Sequence, residues 1–359
     1  MDLVVAGAGM AGLCAAAEAR ARGADVLLLE KAGAPGGSML LSSGVVWRHE
    51  EWRDFRAECP GGDEALQRLV WERLDEGLEW LESLGAPVTE RSTGNPRTRG
   101  VRFDTAGLTA ALDRAAGGAV CGRALEALPT DHPVILCTGG FAADRELVRR
   151  WITPEADELL ARAAPGCTGD GLRLGLEAGA ALSEGMDEFY GRNMPAPPAR
   201  VEPANFVRLA QVYAKHATVS DLDGAGYSAR TWSEIDVVQW TARRPGARAL
   251  YRVEPAQLGA AVRERTVAEI VAAAEQAGAE VRHERGGAVV VPVRAAITTT
   301  LGGLRVTPDA RAARGVWAAG ADAGGIATGG YASGLAAALV LGRVAAASAL
   351  AEYPASTLV

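Results

Sequence analysis

Apolar and polar positions at the start of the chain predict a strand, a turn and a helix. Residues 3–7 (LVVAG) form a short apolar run, and residues 12–22 (GLCAAAEARAR) have the composition of a helix that begins directly after glycines. A second apolar run, ADVLLLE, follows Gly23 and ends in Glu30. This order predicts the beginning of an α/β domain.

Three further segments in the first half of the chain have a clear periodicity. The apolar spacing from Trp52 to Leu84 is helical, and Gly85 follows it as a stop signal. Residues 105–116 predict another helix, and residues 133–141 predict a buried strand that ends on a glycine turn. The core stripe of the first helical segment is predicted to consist of Trp71, Leu74, Leu78 and Leu81.

The middle of the chain differs in character from its two ends. Residues 166–182 (GCTGDGLRLGLEAGAAL) predict a turn followed by a helix. Residues 183–292 contain a proline-rich stretch, a strand-like RALYRV and a predicted helix at 258–278. We therefore predict an inserted α+β domain at 183–292, between residues 1–182 and residues 293–359 of a first domain.

The stretch GGIATGGYASGLAAALVLGRVAAASALA, residues 324–351, is glycine-rich at its start and then apolar. A membrane span needs about 20 mostly apolar residues, whereas this stretch contains Arg343 and many glycines and polar side chains. We expect it to be a buried helix and expect no membrane partner.

Composition and charge narrow the functional classes. The chain has 359 residues with 37 Lys and Arg against 44 Asp and Glu, a net charge of −7, so it offers no basic footprint for nucleic acid. Five cysteines without CxxC spacing indicate reduced thiols rather than disulfides or a metal site. The N-terminus lacks the pattern of a secretory signal, and we expect a cytoplasmic protein.

The turn after the first predicted strand has the sequence of a dinucleotide-binding site. In a GxGxxG turn the first glycine permits the tight turn, the second lets the backbone approach a pyrophosphate, and the third permits close packing of the helix, whose N-terminus favours anions. A carboxylate at the end of the second strand can accept the hydroxyls of an adenosine ribose, and it disfavours the 2′-phosphate of NADP. The predicted contacts are Gly7, Gly9, Ala11, Gly12 and Glu30.

The next segment, KAGAPGGSMLLSSG at residues 31–44, favours FAD over NAD. A nicotinamide-binding domain continues from its acidic residue into another βα unit. Here a loop of small residues with hydroxyl groups, including Gly37, Ser38 and Ser43, can wrap the remainder of a longer cofactor.

Together these motifs resemble those of the fumarate reductase and 3-ketosteroid Δ1-dehydrogenase flavoprotein superfamily. That group has a small hydroxyl or amide residue after GG, an Ala-Thr-Gly-Gly strand end where this chain has residues 137–140 (CTGG), a TGDG turn, and a late acidic position held here by Asp322. The resemblance implies a Rossmann-like, glutathione-reductase-type FAD-binding domain with an inserted α+β capping domain, and non-covalent FAD. It adds as cofactor contacts Lys31, Gly44, Thr138, Gly139, Asp170, Gly302, Gly320, Asp322, Ser333, Gly334 and Leu335.

Two departures from the superfamily pattern bear on function. A long β-meander normally lies between the elements predicted at 105–116 and 133–141, whereas only about 16 residues separate them here. Fumarate reductases also use a His before the TxGG turn, an Arg in the last glycine-rich loop and an Arg in the cap as proton donor. Residues 298–300 are threonines, residues 329–333 contain no Arg, and Glu234 stands at the position of the proton donor. Succinate and fumarate are therefore poor substrate candidates.

Tyr331 instead resembles the tyrosine that ketosteroid dehydrogenases place in their last glycine-rich loop to polarise a substrate carbonyl. The start of the final helix would direct N–H groups at the N1–C2=O edge of the flavin, and polarising the carbonyl would lower the pKa of the α-C–H group before hydride transfer to N5. We interpret Glu234 as the base and Arg230 as a residue that tunes it from one helical turn away. Candidate substrate-binding residues are Tyr190, Asn193 and Thr299.

These observations predict an FAD-dependent oxidoreductase that dehydrogenates a C–C bond next to a carbonyl, or reduces the enone, on a small and neutral substrate, with an unidentified electron partner. Two alternatives remain open. One is a flavin oxidase or dehydrogenase acting on C–N or C–O bonds, and the other is a flavin-binding protein without catalytic activity.

Overall fold

The computed structural model describes residues 1–231 and 233–354. It divides into two compact units. The first comprises Met1–Asp144, Ala163–Glu188 and the chain from Thr299 onward, and the second comprises Arg145–Arg162 and Phe189–Thr298. The sequence interpretation places the inserted part at 183–292; the second unit also takes in Arg145–Arg162.

The helices of both units, numbered in chain order, are α1 (Met10–Ala21), α2 (Trp52–Glu58), α3 (Glu64–Ser83), α4 (Thr105–Ala116), α5 (Arg145–Trp151), α6 (Asp170–Glu177), α7 (Phe206–Leu209), α8 (Ile235–Ala242), α9 (Val267–Gln276) and α10 (Gly334–Glu352).

The strands are β1 (Leu3–Ala6), β2 (Val26–Glu30), β3 (Val45–His49), β4 (Val88–Glu90), β5 (Thr98–Phe103), β6 (Val120–Cys121), β7 (Val134–Leu136), β8 (Leu160–Ala161), β9 (Phe189–Pro195), β10 (Thr218–Ser220), β11 (Arg248–Val253), β12 (Ala261–Val262), β13 (Arg265–Thr266), β14 (Arg282–His283), β15 (Val289–Thr300), β16 (Arg311–Ala313) and β17 (Val316–Ala318).

The first unit is built on a sheet with strand order β16-β17-β7-β1-β2-β6. All neighbours except the β16–β17 pair are parallel, and Val4 pairs with Leu27 on one side and with Val134 on the other. The central strands are buried throughout, as expected for parallel strands that are covered on both faces. A smaller antiparallel sheet, β3-β5-β4, belongs to the same unit.

Helix α10 packs against α1 and α3 through small side chains. A Cβ built on Gly342 would lie 2.4 Å from the carbonyl oxygen of Ala11, so the two backbones approach too closely for any larger residue. Within the described residues, α10 is the one helix that is long and apolar enough to cross a bilayer, and half of its most apolar stretch is buried inside the protein. Close packing against α1 accounts for its alanine-rich composition.

The second unit contains a sheet with the order β10-β11-β15-β14, to which β8 and β9 add by pairing with β15. The β11–β15 pairing is antiparallel, and α8 packs against β9 and β11. Tyr213 and Tyr251 lie fully buried in its apolar core, with their ring centroids 5.5 Å apart. This unit therefore combines helices with a mostly antiparallel sheet, as an α+β domain does.

Several sequence predictions are confirmed at the level of elements. Helix α4 spans the predicted residues because Asp104 caps its N-terminus through Gly107 N and Gly117, in a left-handed conformation, ends it. The strand RALYRV is β11. The periodic segment at 52–84 is two helices, α2 and α3, because Pro60, Gly61 and Gly62 interrupt it.

One predicted element is wrong in its first half. The helix expected at 258–278 begins only at Val267, because Thr266 and Glu269 form a capping box there. Residues 261–266 form the β12–β13 hairpin instead, with Arg263 at φ +57° in its turn.

Candidate cofactor and active site

The glycine turn between β1 and α1 leaves open space where a phosphate group could approach. A Cβ built on Gly7, which has φ +98°, would lie 2.2 Å from the carbonyl oxygen of Cys137, and a Cβ on Gly12 would lie 1.8 Å from the carbonyl oxygen of Gly7. A Cβ on Gly9, the N-cap of α1, would meet no heavy atom within 4 Å. The protein's own packing thus requires Gly7 and Gly12, whereas the space beside Gly9 suits an anion at a helix N-terminus.

Glu30 ends β2 with its carboxylate next to this turn. Its Oε2 accepts a hydrogen bond from Ala8 N at 2.7 Å, and its Oε1 accepts one from Ala32 N at 2.7 Å. A carboxylate can accept about four hydrogen bonds. The two amides therefore fix its orientation and leave acceptor positions for ribose hydroxyls.

Lys31 and Asp170, both predicted to contact the cofactor, contact each other. The Lys31 Nζ donates to Asp170 Oδ2 at 2.8 Å and to Thr168 Oγ1 at 2.7 Å. Both charged side chains are about one-third exposed. The pair connects the end of β2 to the first turn of α6.

Gly37 and Ser38 follow at the edge of the same turn. A Cβ on Gly37 would lie 3.5 Å from the Cα of Gly9, which places this part of the loop against the glycine turn. The hydroxyl of Ser38 accepts a hydrogen bond from Ala164 N at 2.9 Å and lies 3.5 Å from the thiol of Cys167. The loop therefore packs on the glycine turn at Gly37 and is hydrogen-bonded to the segment at Ala164 through Ser38.

Asp322 is buried and acts as the acceptor for a neighbouring turn. Its carboxylate accepts hydrogen bonds from Thr138 N, from Gly140 N (3.0 Å) and from the Thr138 hydroxyl (3.2 Å), and that hydroxyl accepts one from Gly171 N (2.9 Å). Burial raises the pKa of Asp322, and the three donors oppose the rise. The network fixes Gly139, which lies between its donors.

The other predicted cofactor residues differ in their surroundings. A Cβ on Gly44 or on Gly302 would come within 2.4 Å of backbone atoms of another segment, so packing explains both glycines. A Cβ on Gly320 would lie 3.0 Å from the Cβ of Ala11, in the first turn of α1. Ser43 is exposed.

The start of α10 is held by its N-cap residue. The Ser333 hydroxyl accepts hydrogen bonds from Ala336 N at 3.2 Å and from Trp47 N at 3.5 Å. A Cβ on Gly334 would meet no heavy atom within 4 Å, and Leu335 beside it is half-buried. The space beside Gly334 is therefore open, and it lies at a helix N-terminus, where the helix dipole stabilises negative charge.

Tyr331 lies just before this helix and is held by β3. Its ring makes an edge contact with Trp47, with the centroids 5.3 Å apart, and its carbonyl oxygen lies 3.3 Å from His49 Nε2. His49 is fully buried and stacks on Phe55. Burial lowers the pKa of His49, so its imidazole is neutral at neutral pH and donates Nε2–H to the Tyr331 carbonyl.

The carboxylate of Glu188 binds the loop that carries Tyr331. Glu188 Oε2 accepts a hydrogen bond from Gly329 N at 2.7 Å. Burial raises the pKa of the neighbouring Cys59 thiol, and the charges of Glu58 and Glu188 raise it further, against the opposing effect of Arg56. An acidic residue thus binds the backbone of the loop that carries Tyr331.

Glu234 lies in the second unit at the N-cap of α8. It has φ +58° and ψ +24°, and its Oε1 accepts a hydrogen bond from Lys215 N at 2.9 Å. Arg230 precedes the helix, so its predicted place one helical turn from Glu234 is wrong. The side chain of Arg230 is exposed, and its backbone N–H donates to Asp236 at 2.6 Å.

The three predicted substrate-binding residues have different environments. Asn193 is buried, and its Nδ2 donates to Thr241 Oγ1 at 2.9 Å and to Tyr251 OH at 3.0 Å, so it belongs to a polar network in the core of the second unit. Tyr190 is half-buried below the guanidinium of Arg192. Thr299 is half-buried near the end of β15. Their roles in substrate binding stay predictions.

Sequence reasoning missed several residues that hold these candidates in place. Trp47 and His49 alternate on β3, and their position beside Tyr331 depends on a contact almost 300 residues away along the chain. Arg192 and Asp236 are charged residues buried next to Glu234. A charged residue within each of the apolar segments FYGRNMP and IDVVQW indicates that a buried charge needs a partner, but the sequence does not identify that partner.

The described residues contain no group of three or more His, Cys, Asp or Glu side chains arranged to hold a metal ion. All five cysteines are free thiols.

The first unit combines a mainly parallel sheet, a glycine turn with open space at the start of α1, and the Glu30 carboxylate beside that turn. This is the arrangement of a dinucleotide-binding protein, and the residues present fit FAD. The family model described as FAD binding domain matches residues 2–128 and 115–335. The chain therefore belongs to this family, and the predicted superfamily and fold class are confirmed.

Relatives of known function show what the chain is similar to. It is 27% identical over 235 residues to a fumarate reductase (cytochrome) of Shewanella frigidimarina, covering 51% of this chain and 41% of the relative. It is 26% identical over 244 residues to a vinyl phenol reductase of Lactiplantibacillus plantarum, covering 55% and 49%. The chain thus matches less than half the length of these curated relatives.

A solved structure shares the fold over almost the whole chain. It is that of 3-ketosteroid-Δ4-(5α)-dehydrogenase from Rhodococcus jostii RHA1 in complex with 4-androstene-3,17-dione, with a TM-score of 0.67 and 20% identity, covering 97% of this chain and 96% of that one.

Proposed function

We propose that this protein is an FAD-dependent oxidoreductase that dehydrogenates a C–C bond next to a carbonyl, or reduces the corresponding enone, on a small neutral substrate. The observation that carries the proposal is the loop at Tyr331: the Tyr331 ring packs on Trp47 just before α10, and the charged side chain bound to the loop backbone is the carboxylate of Glu188. The Glu188 carboxylate would repel a doubly negative substrate. The Tyr331 phenol can still donate a hydrogen bond to a neutral carbonyl group.

FAD, when bound, supplies the group that accepts or donates the hydride. In this proposal the Tyr331 hydroxyl donates a hydrogen bond to the substrate carbonyl and stabilises the enolate-like charge that develops there. Glu234 removes the α-proton in the dehydrogenation and returns it in the reduction. The vinyl phenol reductase among the relatives has a name that also describes reduction of a vinyl compound without a carboxylate, which supports a neutral substrate.

The test follows the reoxidation of the dithionite-reduced, FAD-loaded protein without oxygen, using the visible absorbance of oxidised flavin. We expect cyclohex-2-en-1-one to restore the absorbance faster than fumarate. The oxidised protein should in turn be bleached by cyclohexanone faster than by benzylamine or benzyl alcohol. Faster reaction with fumarate, or with the amine or alcohol, would contradict the proposal.

Replacing Tyr331 by Phe removes only the phenolic hydroxyl. Loss of one donor to a developing oxyanion typically lowers the rate about 10²- to 10³-fold, and we expect that loss in the limiting rate of reoxidation. Tyr353→Phe is the matched control, because Tyr353 packs on Trp317 near the other end of α10. Equal rates for Tyr331→Phe and the control would refute the role of Tyr331.

We also propose that the FAD is held without a covalent bond. Residues 31–44 contain no His, and the Nε2 of the nearby His49 already contacts the carbonyl of Tyr331. Acid precipitation of the holoprotein should release the yellow flavin into the supernatant. Flavin that remains in the washed pellet would indicate covalent attachment.

A further inference from the structure

Glu234 adopts a backbone conformation that its own side chain does not favour. With φ +58° and ψ +24° it lies in the left-handed region, where residues other than Gly, Asn and Asp are uncommon. As the N-cap residue of α8 it makes no side-chain capping bond, and its carboxylate instead accepts the hydrogen bond from Lys215 N. Contacts from the surrounding structure must hold this conformation.

Arg192 on β9 supplies one of these contacts. Its NH1 donates to the carbonyl oxygen of Ser233 at 2.8 Å, and both residues are buried. The guanidinium also lies over the ring of Tyr190, 5.3 Å from the ring centroid. A charged donor to a carbonyl in a buried setting is stronger than a neutral one, so Arg192 fixes the peptide bond that joins Ser233 to Glu234.

Asp236 holds the segment on the other side of Glu234. Its carboxylate accepts hydrogen bonds from the Tyr227 hydroxyl at 2.7 Å, from Arg230 N at 2.6 Å and from the Thr231 hydroxyl at 2.8 Å. The loop before Glu234 is thereby tied to the first turn of α8, while Arg192 binds the residue directly preceding Glu234.

We propose that Arg192 is a positioning residue that sets the direction of the Glu234 carboxylate by fixing the preceding peptide bond. The inference rests on the proposed function, in which Glu234 is the acid–base group. Releasing the Ser233 carbonyl lets the backbone at Glu234 relax towards a conformation with negative φ, which turns the carboxylate away from the position it now holds.

The experiment measures enone-driven reoxidation of the reduced, FAD-loaded protein, with cyclohex-2-en-1-one as the probe, in a double-mutant cycle of Arg192→Met and Glu234→Gln. A misplacement of about 1 Å can cost about 10²-fold in rate. We therefore expect Arg192→Met to lower the limiting rate about 10²-fold with little change in the half-saturating enone concentration. We expect Arg192→Lys, which keeps one donor for Ser233, to restore part of the rate.

In the Glu234→Gln background, Arg192→Met should cause no further loss, because Arg192 acts through Glu234. The matched control is Arg244→Met: Arg244 also stacks on an aromatic ring of the second unit, that of Trp240, and its charged partner is Asp221, 4.0 Å away. We expect this control to react like the wild type and all variants to retain the wild-type FAD content.

An equal loss from Arg192→Met in both backgrounds, or an effect confined to the half-saturating concentration, overturns the inference. If Arg192→Met does not fold, the same cycle with Arg192→Lys decides. Full activity of Glu234→Gln overturns the roles of Glu234 and Arg192 but leaves the enone reaction standing. A wild-type protein that no enone reoxidises overturns the proposed function and this inference with it.

Discussion

Two glycines of one turn should respond in opposite ways to the same substitution. A Cβ on Gly12 would lie 1.8 Å from the carbonyl oxygen of Gly7, a contact that only a backbone shift can relieve, whereas a Cβ on Gly9 would meet nothing within 4 Å. Gly9 also has φ −79° and ψ −169°, an extended conformation that Ala adopts readily. Gly12→Ala should therefore damage the protein itself, and Gly9→Ala should affect only what binds beside it.

The magnitudes follow from these contacts. Overpacking costs about 1–3 kcal/mol, so we expect the free energy of unfolding of the FAD-free Gly12→Ala protein to fall by that amount. Gly9→Ala should change it by less than about 1 kcal/mol. The new methyl group instead separates the α1 amides from the FAD phosphates. Losing a hydrogen bond to a charged group costs about 1.5–3 kcal/mol, which raises the Kd for FAD about ten- to hundred-fold.

Urea unfolding of the FAD-free proteins and titration of flavin fluorescence measure the two effects separately. The wild-type protein and Gly9→Ala should share an unfolding midpoint, and Gly12→Ala should unfold at lower urea. Wild-type FAD affinity in Gly9→Ala would refute the assignment of the space beside Gly9 to the cofactor. Destabilisation of Gly9→Ala as large as that of Gly12→Ala would refute the packing argument.

Two further predictions concern Glu30 and His49. Glu30→Ala leaves the buried Ala8 amide without its acceptor, so we expect the free energy of unfolding to fall by about 1–3 kcal/mol and FAD to bind more weakly. Glu18→Ala, which removes another carboxylate of the same unit, is the control in the FAD titration. Equal FAD affinities of the two variants would contradict the role of Glu30. The pKa of His49 is lowered from 6.5 in the folded protein, so His49 of the unfolded chain is protonated first as the pH falls. The stabilisation by neutral His49 is therefore complete above about pH 6.5 and is lost as the pH falls below that value. The urea midpoint of the wild type should therefore fall more steeply below pH 6.5 than that of His49→Gln, and parallel pH profiles would show that His49 does not titrate differently on folding.

The sequence was sufficient for elements whose signals are local. Helix α4 has the predicted bounds, set by the cap at Asp104 and the stop at Gly117. The glycine turn follows β1, and Glu30 ends β2 beside that turn, as expected. The helix predicted at 258–278 begins too early, since the capping box at Thr266 sets the start of α9. Local chemistry therefore decided the boundaries more reliably than composition did.

Residues that act through distant contacts could not be identified in advance. The pairing of His49 with the carbonyl of Tyr331 and of Arg192 with the carbonyl of Ser233 depends on the path of the whole chain. A backbone carbonyl has no sequence signature, so a side chain that binds one gives no pattern to read. The left-handed backbone of Glu234 is also a product of these surroundings.

The buried carboxylate of Asp322 has a consequence for the order of events during synthesis. The turn at Thr138–Gly140 is complete as sequence long before Asp322 leaves the ribosome, yet two of its amides have their acceptor in that residue. The N-cap of α10 at Ser333 comes later still. A nascent chain that already displays the turn at Thr138–Gly140 therefore cannot give its amides their acceptor until Asp322 has been synthesised.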